Sequence, residues 1–130
     1  MTTEQVFEWV KTLATKADNY YCGTLNAKKD KSFGVYQLKD SRARDVAISK
    51  ATKTGLKGIS ILVHWNSSTR ETENIAARLY DNLANAGSPV IGGVKTNYIK
   101  LLNDEPIDVG TDENGICERV IEFVIYHERS

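Results

Sequence analysis

One hundred and thirty residues with no net charge, 41% hydrophobic and 26% charged, have the composition of a soluble globular chain that builds one core without staples. Two cysteines, Cys22 and Cys117, make no disulfide framework; they read as reduced thiols of a cytosolic protein, Cys117 in the core. Met1 to Ala17 is amphipathic and carries Glu4 and Glu8, unlike a secretory signal, and no apolar run approaches the ~18 residues that cross a membrane.

The chain opens with helical spacing. Thr2 or Thr3 can cap a helix, an acid follows in the first turn, and Val6, Val10, Leu13 and Ala14 recur on one face, with Phe7, Trp9 and Ala17 nearby. This predicts a helix over Thr3 to Lys16. Asn19 to Leu25 and Phe33 to Leu38 read as strands, the second alternating Phe33, Val35 and Gln37 against Tyr36 and Leu38. The polar, lysine-rich Asn26 to Ser32 between them reads as the loop of an antiparallel hairpin. Lys39 to Lys57 is polar and basic, with an apolar patch at Val46 to Ile48 that fits a brief strand; it is expected to be the least ordered part.

Gly58 to Asn66 (GISILVHWN) has the apolar density of a central, largely buried strand, carried by Ile59, Ile61, Val63 and Trp65 or Leu62. Ser68 with Glu71 three residues on is a capping-box signature. Ile75, Ala76, Leu79, Tyr80, Leu83 and Ala86 then form an apolar stripe, and Gly87 and Pro89 end it, predicting a helix over Thr69 to Ala86. Val90 to Gly93 is a loop or short strand. Val94 to Leu102 reads as a strand with Asn97, Ile99 and Leu101 on one parity. Asn103 to Gly115 is an acidic connection ending in the turn signal Asn114-Gly115.

Ile116 to His127 is the longest strand signal. Cys117, Ile121, Phe123 and Ile125 form one face, expected against helices. Glu118, Glu122 and Tyr126 lie on the other, nearer solvent or a neighbour. At ~3.3 Å per residue it spans roughly 40 Å, enough to reach past a compact body towards a partner. The element order predicts a single α+β domain over residues 1–130, with a mostly antiparallel sheet of about four to five strands and two helices packed on one face.

Charge is unevenly spread. Lys28 to Lys57 carries nine basic residues and three acids, a net of +6. Asn103 to Glu118 carries six acids and no base, a net of −6. Two solvated loops are the plain reading. Complementary blocks can also attract each other within a fold, or steer one copy onto the next. The residues offered for such contacts are Lys28, Lys29, Lys31, Arg42 and Arg44 on the basic side, and Asp104, Glu105, Asp108, Asp112 and Glu113 on the acidic side.

Signs of chemistry are few. Asp108, Asp112 and Asn114 are oxygen donors, but a calcium loop with Gly115 in its turn position would start on Gly110 and end on Ile121, so no metal or other cofactor is expected. His64, His127, Cys22 and Cys117 have no spacing that implies a thiol–imidazole pair; His64, inside an apolar strand, reads as a hydrogen-bonded core or interface histidine. Gly58-Ile59-Ser60-Ile61-Leu62 lacks the second glycine of a nucleophile elbow. Gly92-Gly93 is no phosphate loop. The basic stretch lacks the interleaved aromatics of a single-strand binder. No catalytic residue is therefore assigned.

The run EPIDVGTDENGICERVIEFVIYHER, Glu105 to Arg129, resembles the C-terminal signature of small minor capsid and tail terminator proteins of long-tailed bacteriophages and prophages. Those carry an acidic turn, here Pro106, Asp108, Gly110, Asp112 and Gly115, followed by a long strand ending in aromatics. GISILVHWN followed by ETENIAARLYDNLANAG resembles the centre of the same proteins, so the likeness spans Gly58 to Arg129. It implies a structural protein without catalysis, located in the virion at the head–tail junction and in the host cytoplasm during assembly. Its partners would be further copies of itself in a ring, usually of six, the tail tube protein and a head connector. A ring joins two different patches of one chain, which suits the charge split. The alternatives are a head-completion protein on the portal side, a small ligand-binding or hydrolytic domain built around His64 or Cys22, and a nucleic-acid accessory module using the basic stretch.

Overall fold

The computed structural model describes residues 1–14, 16–38 and 54–128. Helix α1 (Thr3–Leu13) starts at a reciprocal cap: the Thr2 hydroxyl accepts the Gln5 N–H at 3.1 Å, and Gln5 Oε1 accepts the Thr2 N–H at 2.9 Å. Two of the four unpaired donors of a helix start are thereby satisfied. The helix stops at Leu13, short of Lys16, because its last carbonyls find other donors. Ala14 leaves helical geometry and its carbonyl accepts the Tyr20 hydroxyl, while the Leu13 carbonyl accepts Asn82 Nδ2 at 3.0 Å.

Strands β1 (Asn19–Cys22) and β2 (Ser32–Gln37) pair in parallel, Asn19 opposite Ser32 and Cys22 opposite Val35, not as the expected antiparallel hairpin. Residues 23–31 carry the chain back to the starting end of β1. The return is fixed by backbone bonds. The Lys31 carbonyl accepts the Asp18 and Asn19 N–H groups, and the Lys31 N–H reaches the Trp65 carbonyl. Lys31 takes a left-handed φ of 51° to do so. Alternating apolar residues define a strand but not its direction, and a nine-residue polar loop fits either connection.

Strand β3 (Thr54–His64) begins four residues before Gly58, since Thr54–Lys57 pair with Ile125–Glu128. Helix α2 (Thr69–Ala84) starts at Ser68, whose hydroxyl accepts the Glu71 N–H at 3.2 Å. The expected return arm of the capping box is diverted: the Glu71 carboxylate accepts Asn66 Nδ2 at 2.6 Å. The helix ends at Ala84, two residues before Ala86, with Asn85 as cap. Strands β4 (Val90–Ile91), β5 (Val94–Leu101), β6 (Ile107–Thr111) and β7 (Cys117–Glu128) complete the described chain.

The result is an α+β fold with a seven-stranded, mostly antiparallel sheet in the order β1-β2-β3-β7-β5-β4, β6 lying beside β7. The count exceeds four to five chiefly because β6 lies inside the acidic connection, where Asp108 and Gly110 break the apolar signal. Strand β7 runs down the middle. One edge pairs with β3 over its whole length; the other pairs with β6 through Cys117–Val120 and with β5 through Phe123–His127. It therefore does not reach beyond the body, as its length had led one to expect.

Both helices cover one face of this sheet. Val6 and Val10 of α1 and Ala76, Leu79 and Leu83 of α2 pack with Phe33, Val35, Ile59, Ile61, Val63, Ile121, Phe123 and Ile125. Those of β2 and β7 share the parity expected for their strands. The pattern departs from expectation at two points. Tyr126 is buried, stacked on Tyr98 with ring centroids 4.3 Å apart. A bulge between Thr96 and Tyr98 reverses the parity of β5, so Thr96 points inward with Ile99 and Leu101, and Asn97 is exposed.

Candidate functional site

The face away from the helices carries the pair His64 and Glu118. His64 ends β3 and stands directly opposite Glu118 of β7. Because β1 and β2 are parallel, the 23–31 loop must return across this region, and it brings the Ala27 carbonyl onto the ring. His64 Nε2 lies 2.9 Å from that carbonyl and Nδ1 lies 2.7 Å from Glu118 Oε2. A carbonyl only accepts, so Nε2 carries a hydrogen. The ring is wholly buried, and Asp112 Oδ2 approaches Nδ1 at 3.7 Å.

Asp112 is placed by the turn between β6 and β7. Its Oδ1 accepts the Asn114 and Ile116 N–H groups, each at 2.9 Å, and its own N–H and carbonyl bond to Ile116 and Gly115. Gly115 sits at φ 77°, the left-handed region that the Asn-Gly signal announced. The Ile116 N–H bond holds the Asp112 carboxyl below the usual carboxylate range; partial burial opposes this, while the Asn114 N–H and the His64 charge reinforce it. Asn114 Nδ2 also donates to the Ala27 carbonyl at 3.4 Å. The N-terminal end of the basic block and the tip of the acidic hairpin thus meet within one chain.

The ten charged residues offered for contacts fall into distinct settings. Lys28 and Lys29 are exposed on the 23–31 loop and Lys31 is half-buried at its end. Arg42 and Arg44 lie outside the described residues, as does the brief strand expected at Val46 to Ile48 and most of the stretch expected to be least ordered. Asp104, Glu105 and Glu113 are exposed. Asp108 is exposed but pairs with Arg119 Nη1 at 3.0 Å. Arg119, nearly buried on the helix face, also donates to its neighbour's carbonyl at Glu118. With Glu73, Ala77, Glu105 and Pro106 it lines a cleft of about 280 Å³ beside α2.

Sequence reasoning placed Glu118 only on the face nearer solvent or a neighbour and left Arg119 without a role. Their partners are 54 and 11 residues away, and only the β3–β7 and β6–β7 registers bring them together. For nucleophilic chemistry the geometry is poor. Cys22, half-buried, has its thiol pushed up by burial and by Glu4 and Glu8, the opposite of an activated thiolate. Cys117 is buried, 3.6 Å from the Thr69 hydroxyl. Among the described residues no helix is long and apolar enough to cross a membrane.

Comparison with known proteins gives one match of scope. The family model described as bacteriophage tail terminator protein matches residues 1–128. No curated protein matches the chain.

Proposed function

Since the chain belongs to the bacteriophage tail terminator family, with a structural role in the phage tail, we propose that it acts as one domain over residues 1–130 whose copies form a ring, of six, on the head-proximal end of the tail tube. The ring ends tube growth and offers the surface on which the head connector seats. The mechanism is assembly rather than catalysis. The observation that carries this reading is the extent of the family match, which takes in the N-terminal helix and the parallel strand pair as well as the C-terminal hairpin.

A ring needs two different patches per copy. The exposed charges of the described residues offer them: Lys28 and Lys29 on the 23–31 loop, and Asp104, Glu105 and Glu113 on the acidic connection. Arg42 and Arg44, outside the described residues, are assigned to the basic patch by their place in the sequence. Asp108 and Asp112 contribute to the acidic surface while also serving the fold through Arg119 and the β6–β7 turn. Tyr98 and Val109, each about half exposed on β5 and β6, add apolar area of the kind interface centres require.

Electron microscopy of the purified protein, with and without purified tail tubes, tests the proposal. A six-fold ring or a cap on tube ends is the expected result. Binding to head connectors while tube ends stay bare would assign the protein to head completion and overturn the proposal; so would the absence of any ring or cap.

A further inference from the structure

His64, Asp112 and Glu118 present one ring nitrogen and two carboxylate oxygens, all within 4.8 Å of one another. The three come from β3, the β6–β7 turn and β7, so the fold itself assembles them. Two further observations point to a cation at their centre. Asp112 Oδ2 is shut off from solvent, faces Nδ1, and accepts no hydrogen bond from any described residue. The ring's tautomer is also fixed: Nε2–H donates to the Ala27 carbonyl, the outer contact that orients a metal-binding imidazole and leaves Nδ1 to face the ion. A neutral ring in this tautomer would aim its lone pair at two carboxylates. Something positive must lie between them, either a proton or a metal ion.

We propose that these three side chains form a binding site for a divalent transition ion of the zinc class, joining the strand pair β3–β7 to the acidic turn. One imidazole with two carboxylates suits zinc, cobalt or manganese. Calcium and magnesium, which take six or more oxygens, are poorly served. Donors on one zinc ion stand about 3.3 Å apart, so the 2.7 Å between Nδ1 and Glu118 Oε2 opens by roughly half an ångström on binding. That 2.7 Å contact is a hydrogen bond sharing one proton. The ion takes the proton's place: a metal–nitrogen bond and two metal–oxygen bonds form, and the proton leaves to solvent.

Titration calorimetry of the metal-free protein with Zn2+, in two buffers of different ionisation enthalpy, reads stoichiometry, affinity and proton release together. One ion per chain is expected, with micromolar or tighter affinity and release of about one proton. At a hundredfold excess of free ion over Kd, Tm should rise by about 10 °C for a chain of this length. Co2+ should give visible absorption bands without a thiolate charge-transfer band. Asp112→Asn keeps the Oδ1 turn acceptor and so keeps the fold while losing at least tenfold in affinity; Glu118→Gln should lose as much, and Cys22→Ser should lose nothing. The site is overturned if Zn2+ does not bind, if binding survives both carboxylate variants or vanishes with Cys22, or if Ca2+ or Mg2+ binds more tightly than Zn2+. None of these outcomes depends on ring formation, so they leave the proposed function to its own test.

Discussion

Single residues carry more than one duty in this chain, and Gln5 shows it most directly. Its side chain closes the cap of α1, yet it also fills the space over Gly92 in the β4–β5 turn. A Cβ on Gly92 would stand 2.5 Å from Gln5 Cδ, at a φ of 58° that disfavours any side chain. Gly92→Ala therefore both strains the turn and pushes Gln5 off its cap. The expected loss is about 1–3 kcal/mol in urea unfolding. Gln5→Ala alone costs about 0.5–1 kcal/mol, the worth of the one capping-box hydrogen bond it removes. The double variant should fall short of the sum by at least ~0.5 kcal/mol, because the alanine at position 5 removes the clash. Strict additivity would show that the two residues do not meet. None of this was legible in sequence, where Val90 to Gly93 read only as a loop or short strand.

The strands separate what periodicity can tell from what it cannot. Alternation in β7 marked Ile121, Phe123 and Ile125 as one apolar face, because a half-covered sheet imposes period two on its sequence. In β3 apolar density alone marked a central strand, and the structure picks Ile59, Ile61 and Val63 as its helix-facing set. Direction, register and bulges leave no such mark. Hence the parallel β1–β2 pair, the β6 strand hidden among acids, and the parity switch at Thr96 emerged only in three dimensions. The energetic consequence is sharp along β7 and weak along β6. Phe123 is wholly buried under the helices, so Phe123→Ala should cost about 3–5 kcal/mol. That is a large share of the ~5–15 kcal/mol a domain has in total. Val109 is about half exposed on β6, so Val109→Ala should change stability by less than about 0.5 kcal/mol. Guanidinium unfolding of the two variants side by side checks this; comparable losses would mean that β7 is not the centre of the core.

At the scale of the whole molecule, the open question in the sequence was whether the +6 and −6 blocks attract within a chain or between chains. The fold brings the two segments together in part, through neighbouring groups rather than through the charges of the basic block. The 23–31 loop and the β6–β7 turn already meet through Ala27, His64 and Asn114, and Asp108 is engaged by Arg119. Reversing Asp108 or Asp112 would therefore disturb the fold along with any assembly. Charges that remain exposed make a cleaner test. Reversing Glu105 and Glu113 to lysine should leave Tm within about 2 °C, since exposed charges contribute little to stability. It should nevertheless weaken ring formation in light scattering, because like charges would face each other across the joint. Reversing Lys28 and Lys29 to glutamate should do the same. Combining both reversals in one chain restores opposite charges at every joint and should recover assembly at least in part. Raising ionic strength from 0.15 M to 1 M shortens the screening length from about 8 Å to about 3 Å, which should weaken wild-type rings and the doubly reversed ones alike. Recovery in the combined variant separates complementarity between copies from mere damage to either surface; a combined variant no better than its parents would place the joints elsewhere, with the exposed Tyr98 and Val109 on β5 and β6 next in line.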